Sequence, residues 1–331
     1  MSLINIKSGI SIVIPTYNGE KVIQMALEGI IKQKFQMPLE VILINNNSFD
    51  STVIKAKKYW DDNNKANIDF KILSEEKPGK FFAQHLGILS ASFNYVLICD
   101  DDNIIDENYC QIAFNCFEKN SEIAAIGGCG RPLFESSEPT WFQTYHKFYA
   151  VGAQGDESGD ITDKKGCLYG AGMVIRKDIY IELFNRGFEP LFSSRKGNKL
   201  ASGSEDTELC YAFRMLGYRI FYCEELKFEH YIEIRKLNLN YLKKLVLSQS
   251  SAIKFDIYYH SLFSGKSNNF IIFQSLKELI SIHVIKNLFY FISNYKNMRI
   301  HSKYFFHSKM VLISTFIFNF FNNRKKILFD Y

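Results

Sequence analysis

A parallel α/β sheet with polar clusters at its strand ends is the fold class that this 331-residue sequence predicts. Over the first hundred residues, short apolar runs alternate with stretches of helical spacing, the pattern of βα units feeding a parallel sheet. Three polar clusters follow such runs directly: Thr16-Tyr17-Asn18, Asn45-Asn46-Asn47 and Asp100-Asp101-Asp102-Asn103. Sheets of this type collect ligands at the carboxyl ends of their strands, near the point where strand order reverses. The clusters therefore mark a binding edge. The length exceeds the roughly 100–200 residues of a usual single core, so two or three structural units are expected.

Each element has its own signal. Ile10 to Ile14 reads as a buried strand stopped by Pro15, and Lys21 to Lys32 has helical apolar spacing. Leu39 to Ile44 is a second strand. Ser51 to Trp60 reads as a helix with Asp50 or Ser51 as N-cap. Phe70 to Leu73 is a short strand, Phe81 to Ala91 a helix, and Tyr95 to Cys99 a strand running into Asp100. The stretch from Gly127 to Gly172 is glycine-rich and crowded with aromatics, and is expected to be irregular. Order resumes with a strand at Met173 to Ile175 and a helix over Thr207 to Leu216, stopped by Gly217 at C′. Ile220 to Cys223 is the last expected strand.

Composition narrows the class. The apolar share of 47% is that of a globular protein. Seven scattered cysteines without a C-x-x-C pair argue against a disulfide framework or a structural zinc site, and fit a reducing compartment. Met1 to Gly9 lacks the cationic and apolar blocks of a signal peptide. No run of about 18 apolar residues suggests a spanning helix. The net charge of +5 is uneven: from Tyr231 onward, 15 Lys/Arg face 4 Asp/Glu, which leaves the preceding residues about 6 charges on the acidic side. An acidic body with a basic, Phe-rich tail results, and a cytoplasmic location follows, on the inner face of a membrane if the tail binds lipid.

Three constellations carry chemistry. Alternate residues of an extended segment point the same way, so Asp100 and Asp102 converge on one ligand. Adjacent carboxylates suit Mg²⁺ or Mn²⁺, which keep waters and also bind substrate phosphates. Ser204-Glu205-Asp206 precedes a helix, where acids either cap it or supply a general base. His230 follows the last expected strand. Taken singly, these features are equally a solvated turn, a helix cap and a structural histidine.

Together they resemble the inverting, nucleotide-sugar-dependent glycosyltransferases of family 2, which have the GT-A fold. The resemblance rests on Ile12-Val13-Ile14-Pro15-Thr16-Tyr17-Asn18, Asn45-Asn46-Asn47-Ser48-Phe49-Asp50, Asp100-Asp101-Asp102 and Gly203-Ser204-Glu205-Asp206-Thr207-Glu208-Leu209, in that order between about Ile10 and His230. It implies a Rossmann-like nucleotide-sugar-binding half over residues 1–105 and an abutting acceptor-binding, catalytic half over 106–230. A basic, aromatic-rich helical extension over 231–331 would follow. Pro15, Thr16, Tyr17 and Asn18, with Asn45 or Asn46, would border the nucleotide. Asp100 and Asp101 would reach the ribose and diphosphate side. Asp102, with Asp100 and His230, would hold Mn²⁺ or Mg²⁺, and Asp206, supported by Glu205, would be the catalytic base. Gly170 and Gly172 would let backbone approach an acceptor sugar closely, and Trp141 would offer it a stacking face.

The implied donor is a nucleoside-diphosphate sugar, UDP-linked first and GDP- or dTDP-linked next. The implied acceptor is a glycan or lipid-linked glycan of surface polysaccharide synthesis. Two departures stand out. Asn45-Asn46 replaces the Asp-Asp or Asp-Asn usual in the family, and Gln84-His85 replaces an Arg-Asn common in relatives. A sugar nucleotidyltransferase is the alternative enzyme class, but Pro15-Thr16-Tyr17-Asn18-Gly19-Glu20 takes the place of its glycine-rich phosphate loop. A catalytically degenerate sugar-nucleotide-binding scaffold is the other. The basic helices of the tail read equally as a peripheral membrane contact and as a cap on the catalytic body. No motif supports nucleic-acid binding.

Overall fold

Strands buried on both faces must be apolar throughout, and this constraint shapes the centre of the molecule. The computed structural model describes residues 7–64, 68–190, 205–250, 259 and 262–264. Strand β1 (Lys7–Thr16) is buried from Gly9 onward. It lies between β2 (Leu39–Asn45) and β4 (Phe93–Ile98), parallel to both, with β3 (Asp69–Ser74) parallel beyond β2. Helices α1 (Ile23–Ile31), α2 (Thr52–Asn63) and α3 (Lys80–Ser90) make the crossovers. These elements lie within one to three residues of their sequence-read bounds. Asp50 acts as the capping acceptor of α2, taking the N–H of Thr52 at 3.0 Å.

The rest of the chain completes the same sheet. Strand β5 (Asn103–Ile105), helix α4 (Tyr109–Lys119), strand β6 (Ile123–Phe134), a short helix α5 (Phe142–Tyr145) and strand β7 (Gly159–Asp160) come next. Strand β8 (Val174–Arg176), α6 (Lys177–Asn185), α7 (Glu205–Met215), β9 (Arg219–Ile232) and α8 (Leu239–Ser250) follow. Among the described residues the strand order is β3-β2-β1-β4-β8-β6-β9-β5, with β7 on β9. Side chains alternate across it. Ile10, Ile12 and Ile14 join Leu27, Trp60 and Phe114 on one face. Val13, Ile42 and Ile98 join Ala83, Tyr180 and Phe213 on the other. The result is a sheet between two helical layers.

The middle of the chain differs from the irregular stretch its glycines suggest. Gly127, Gly128 and Gly130 lie inside the 12-residue strand β6. A Cβ on Gly127 would meet Leu168 and Gln154, and one on Gly130 would meet Ala150 O and the Phe228 ring, whereas Gly128 answers to β9. Gly127 pairs with Tyr222 but Cys129 pairs with Lys227, so β9 bulges outward between them. A Cβ on Gly128 would stand 1.9 Å from the carbonyl oxygen of Leu226 in that bulge. Glycine in a strand marks such a close backbone approach. Beyond the bulge β9 runs on to Ile232, well past the Cys223 at which the apolar pattern stops, and delivers His230 beside β5.

Helix α7 ends in a Schellman motif: Tyr218 N–H reaches Phe213 O at 3.1 Å, Gly217 N–H reaches Arg214 O at 2.9 Å, and Gly217 has φ +88°. The first turns of the basic extension pack on the body. Leu242, Leu245 and Val246 of α8 join Phe142, Tyr149 and Ile232 in a separate apolar cluster, and Tyr259 stacks near Tyr211 of α7. No described helix is long and apolar enough to cross a membrane. The apolar stretches Phe270 to Ile292 and Met310 to Phe321, with Arg324-Lys325-Lys326, lie outside the described residues, as do Gly203 and Ser204.

Because the obstacle at Gly128 is backbone, Gly128→Ala is expected to lower stability by about 3 kcal/mol. Urea unfolding measures this, and a loss below about 0.5 kcal/mol would contradict the packing of β6 on the bulge.

Candidate active site

The parallel register sets the binding edge. Thr16 pairs with Asn45 and Val13 with Ile98, so the ends of β1, β2 and β4 open on the same side. A cavity of about 490 Å³ lies over them, within the range of small-molecule sites. Pro15, Thr16, Tyr17 and Asn18 line it from β1, and Asn46 from the end of β2. Asp100, Asp101 and Asp102 line it from β4. Gly170, Glu205, Asp206 and His230 complete the set from the second half of the chain.

The loops after β1 and β2 are laced together. Asn18, at φ +54°, donates its N–H to Ser48 Oγ at 3.0 Å, and its Oδ1 accepts the N–H of Phe49 at 3.0 Å. Asn45 turns into its own loop, accepting the Ser48 N–H at 3.0 Å, and does not line the cavity. Asn46 clamps the β3–α3 loop: its Nδ2 donates to Glu75 O and Lys77 O, both at 2.8 Å, and its Oδ1 accepts Gly79 N–H at 2.8 Å. A carboxylate has no hydrogens for those two carbonyls. The geometry therefore suits Asn at position 46, the Asp-Asn form of the family pair; the departure lies at Asn45, and its bond to Ser48 N–H does not explain it. For the other, Gln84 lines the cavity, whereas His85 turns away to Tyr180 Oη at 2.8 Å.

Each member of the acidic triplet meets a partner from a different part of the chain. Asp100 pairs with Lys80 Nζ at 2.6 Å. Asp101 accepts Thr16 Oγ1–H at 2.5 Å, and Gly19 leaves it room, since a Cβ there would come within 2.3 Å of Asp101 Oδ2. Asp102 Oδ2 lies 2.9 Å from Lys236 Nζ and 3.5 Å from His230 Nε2. The charges diverge accordingly. Burial, with the Asp102 charge next in size, pushes Asp101 up to about 7. Burial also acts upward on Asp102, but Lys236 and His230 outweigh it and hold this carboxyl well below the usual range. Burial disfavours the Lys236 ammonium, yet Asp102 more than compensates and raises it.

On the opposite side, Asp206 sits in the first turn of α7 beside Glu205 and Glu208. Its Oδ2 accepts the Gly170 N–H at 2.5 Å and its Oδ1 accepts the Thr207 N–H at 2.9 Å. Gly170 thus contacts a site carboxylate. Gly172 stays outside the cavity lining, where its φ of +71° and the Tyr109 hydroxyl on its carbonyl shape the turn into β8. Trp141 packs on Phe142 and Tyr149, ring centroids 6.1 and 6.4 Å away, and the cavity is walled by Phe148, Tyr149 and Tyr241 instead. Lys80, Arg235, Lys236 and Lys244 also line it. No motif marks Lys80 or Lys244, whereas Arg235 and Lys236 belong to the charged run Glu233-Ile234-Arg235-Lys236 just after His230.

The donors fit a divalent cation held by few protein ligands. Asp102 and His230 converge, but Asp100 faces Lys80, and the described residues contain no cluster of three His, Cys, Asp or Glu side chains that could hold a metal. One or two side chains completed by diphosphate oxygens and water is an arrangement that Mg²⁺ accepts.

A family model for glycosyl transferase family 2 matches residues 11–184, more than half of the chain. The chain belongs to glycosyl transferase family 2. Among curated relatives, a poly-beta-1,6-N-acetyl-D-glucosamine synthase of Staphylococcus epidermidis is 32% identical over 130 residues, 39% of this chain and 30% of that protein. The glycosyltransferase GlyG of Streptococcus pneumoniae is 29% identical over 118 residues, 36% of this chain and 38% of its own length. The alignments thus span well under half of these relatives. Among solved structures, a mannosyltransferase from Pyrobaculum calidifontis in complex with GDP-Man and Mn²⁺ superposes with TM-score 0.56 at 13% identity, covering 97% of this chain and 89% of that one. S. aureus TarS residues 1–349 with UDP-GlcNAc gives TM-score 0.51 at 16% identity over 77% of this chain and 73% of that one. These likenesses establish the GT-A fold of this chain.

A titration signature follows from Asp101. Burial and the Asp102 charge raise Asp101 from 3.8 to about 7 in the fold. Its contribution to stability is therefore expected to be full below about pH 4 and to be lost as pH rises through 7. Without metal, Asp101→Asn should be more stable than the parent at pH 8 by up to about 4 kcal/mol, with the gap closing towards pH 4. Urea unfolding across that range checks it, and a gap independent of pH would remove the assignment.

Proposed function

We propose that this family 2 enzyme transfers a sugar, with inversion, from a nucleoside-diphosphate donor to a hydroxyl of a glycan or lipid-linked glycan in surface polysaccharide synthesis. The observation that carries the reading is the meeting, in one cavity, of the Asp100-Asp101-Asp102 strand end, His230 and the carboxylate of Asp206. The donor half comprises residues 1–105, and residues 106–230 supply the acceptor side and the base.

Asp206 acts as the base. Two backbone N–H groups fix its carboxylate at the start of α7, where the helix dipole favours the charged form. From there it takes the proton of the attacking acceptor hydroxyl as the bond to the anomeric carbon forms and the nucleoside diphosphate departs. Tyr17, 41% exposed and edge-on to Phe49, offers a ring to the base of the donor. Asp102 and His230 are the residues that would hold Mn²⁺ or Mg²⁺, and Lewis-acid neutralisation of the leaving diphosphate is the chemistry such an ion supplies. A UDP-sugar is the first choice of donor, in keeping with a relative named for poly-N-acetylglucosamine synthesis and a fold neighbour solved with UDP-GlcNAc; the GDP-Man neighbour keeps a GDP-sugar in view, and a dTDP-sugar is third. The basic residues after Tyr231 support a location at the inner face of a membrane, where lipid-linked acceptors would be presented.

Asp206→Asn should lower kcat by about 10²–10⁴-fold while nucleotide affinity stays within a few-fold. Wild-type turnover in that variant would remove Asp206 as base. Calorimetric titration with UDP, GDP, CDP and dTDP, each with Mn²⁺ and with EDTA, should find one nucleotide bound tightly and only with metal. Asp102→Ala should abolish that metal dependence. Equal binding in EDTA would overturn the metal assignment and leave the base assignment standing.

A further inference from the structure

Three orphaned polar atoms lie next to Asp102. Asn103 is fully buried, yet neither its Nδ2 nor its Oδ1 has a partner among the described residues, and the same holds for His230 Nδ1. The two residues face each other across the antiparallel β5–β9 ladder. Tyr231 N–H bonds Asp102 O at 2.8 Å and Asp106 N–H bonds Lys227 O at 3.0 Å. Counting inward from these bonded pairs makes Asn103–His230 a pair of the non-hydrogen-bonded class. Opposed residues of this class carry their side chains on the same face, at the closest cross-strand spacing. The amide and the imidazole are thus neighbours with mutually complementary groups, although the structure shows no hydrogen bond between them and none from these atoms to any other described residue.

We propose that the Asn103 amide oxygen accepts the Nδ1–H of His230 and so positions that ring. The consequence is chemical. A neutral imidazole protonated at Nδ1 keeps its lone pair on Nε2, the nitrogen that faces Asp102 at 3.5 Å. Metal-ligating histidines depend on such a contact through the other ring nitrogen, which sets tautomer, orientation and basicity. Asn103 is a positioning residue here, acting only through His230. An amide suits the place because it adds no charge beside three carboxylates. The inference rests on the metal reading proposed above, and its test separates the two.

Two measurements on the full chain decide it. In ¹⁵N-histidine-labelled protein without metal, the neutral His230 ring, assigned by the signal lost in His230→Gln, is expected to carry its proton on Nδ1. In Asn103→Leu, similar in size but without an acceptor, that preference should disappear. By calorimetry, Mn²⁺ in the presence of the nucleotide that binds should bind Asn103→Leu about 10–100-fold more weakly than wild type. A proton on Nε2 in the wild type, or unchanged Mn²⁺ affinity in a folded Asn103→Leu, overturns the proposal. An Nδ1 proton that depends on Asn103, in a protein that binds no Mn²⁺, upholds the contact and discards the metal reading alone.

Discussion

Three adjacent carboxylates at one strand end repel one another, and the way this chain holds them together organises everything around the cavity. Asp100 is neutralised by Lys80 from α3, Asp101 keeps its proton and leans on Thr16 from β1, and Asp102 takes Lys236 and His230 from the far end of the chain. Like charges at contact distance cannot all stay ionised without compensation. The triplet therefore ties the first strand, the third helix and the segment after the last strand to a single point. A cavity built this way presents both signs of charge, which suits a ligand with an anionic diphosphate and a neutral sugar.

The second constraint is the reach of β9. A 14-residue strand could not follow β6 throughout without the outward bulge at Cys223 to Leu226, and that bulge in turn demands glycine on β6. Past the bulge, β9 pairs with the three-residue strand β5 that leaves the acidic triplet. This pairing brings His230, more than a hundred residues away in sequence, within reach of Asp102. The basic extension continues the same logic. Lys236 enters the cavity, and α8 closes its aromatic wall through Tyr241.

Asn46 illustrates how a residue at the binding edge can have a local structural cause. The position is nearly buried, and all of its amide's bonds in the structure go to backbone of the β3–α3 loop. That loop leads into Lys80, the partner of Asp100, so the same amide that shapes the floor of the cavity also places a cation beside the triplet. Its demand for two N–H donors is a demand of geometry, separate from any choice of nucleobase.

The sequence by itself determined the parallel α/β core, the binding edge and the acidic groups and histidine of the cavity. Those features follow from local periodicity: a buried parallel strand must be apolar, and the polar residues just after it must stand at its carboxyl end. Gly217, likewise, announced the end of α7. What only the tertiary structure decided depends on long-range pairing. Gly128 of β6 reads as irregular because the backbone it makes room for lies in a bulge about a hundred residues further on. Trp141 looked like a sugar platform, but packing against Phe142 and Tyr149 occupies it and leaves Phe148, Tyr149 and Tyr241 to wall the cavity. Lys80 carries no local signature, since an exposed lysine and one drawn onto a carboxylate look alike until the chain folds. The pairing of Asn103 with His230 is a register relation between strands, and no window of adjacent residues contains it.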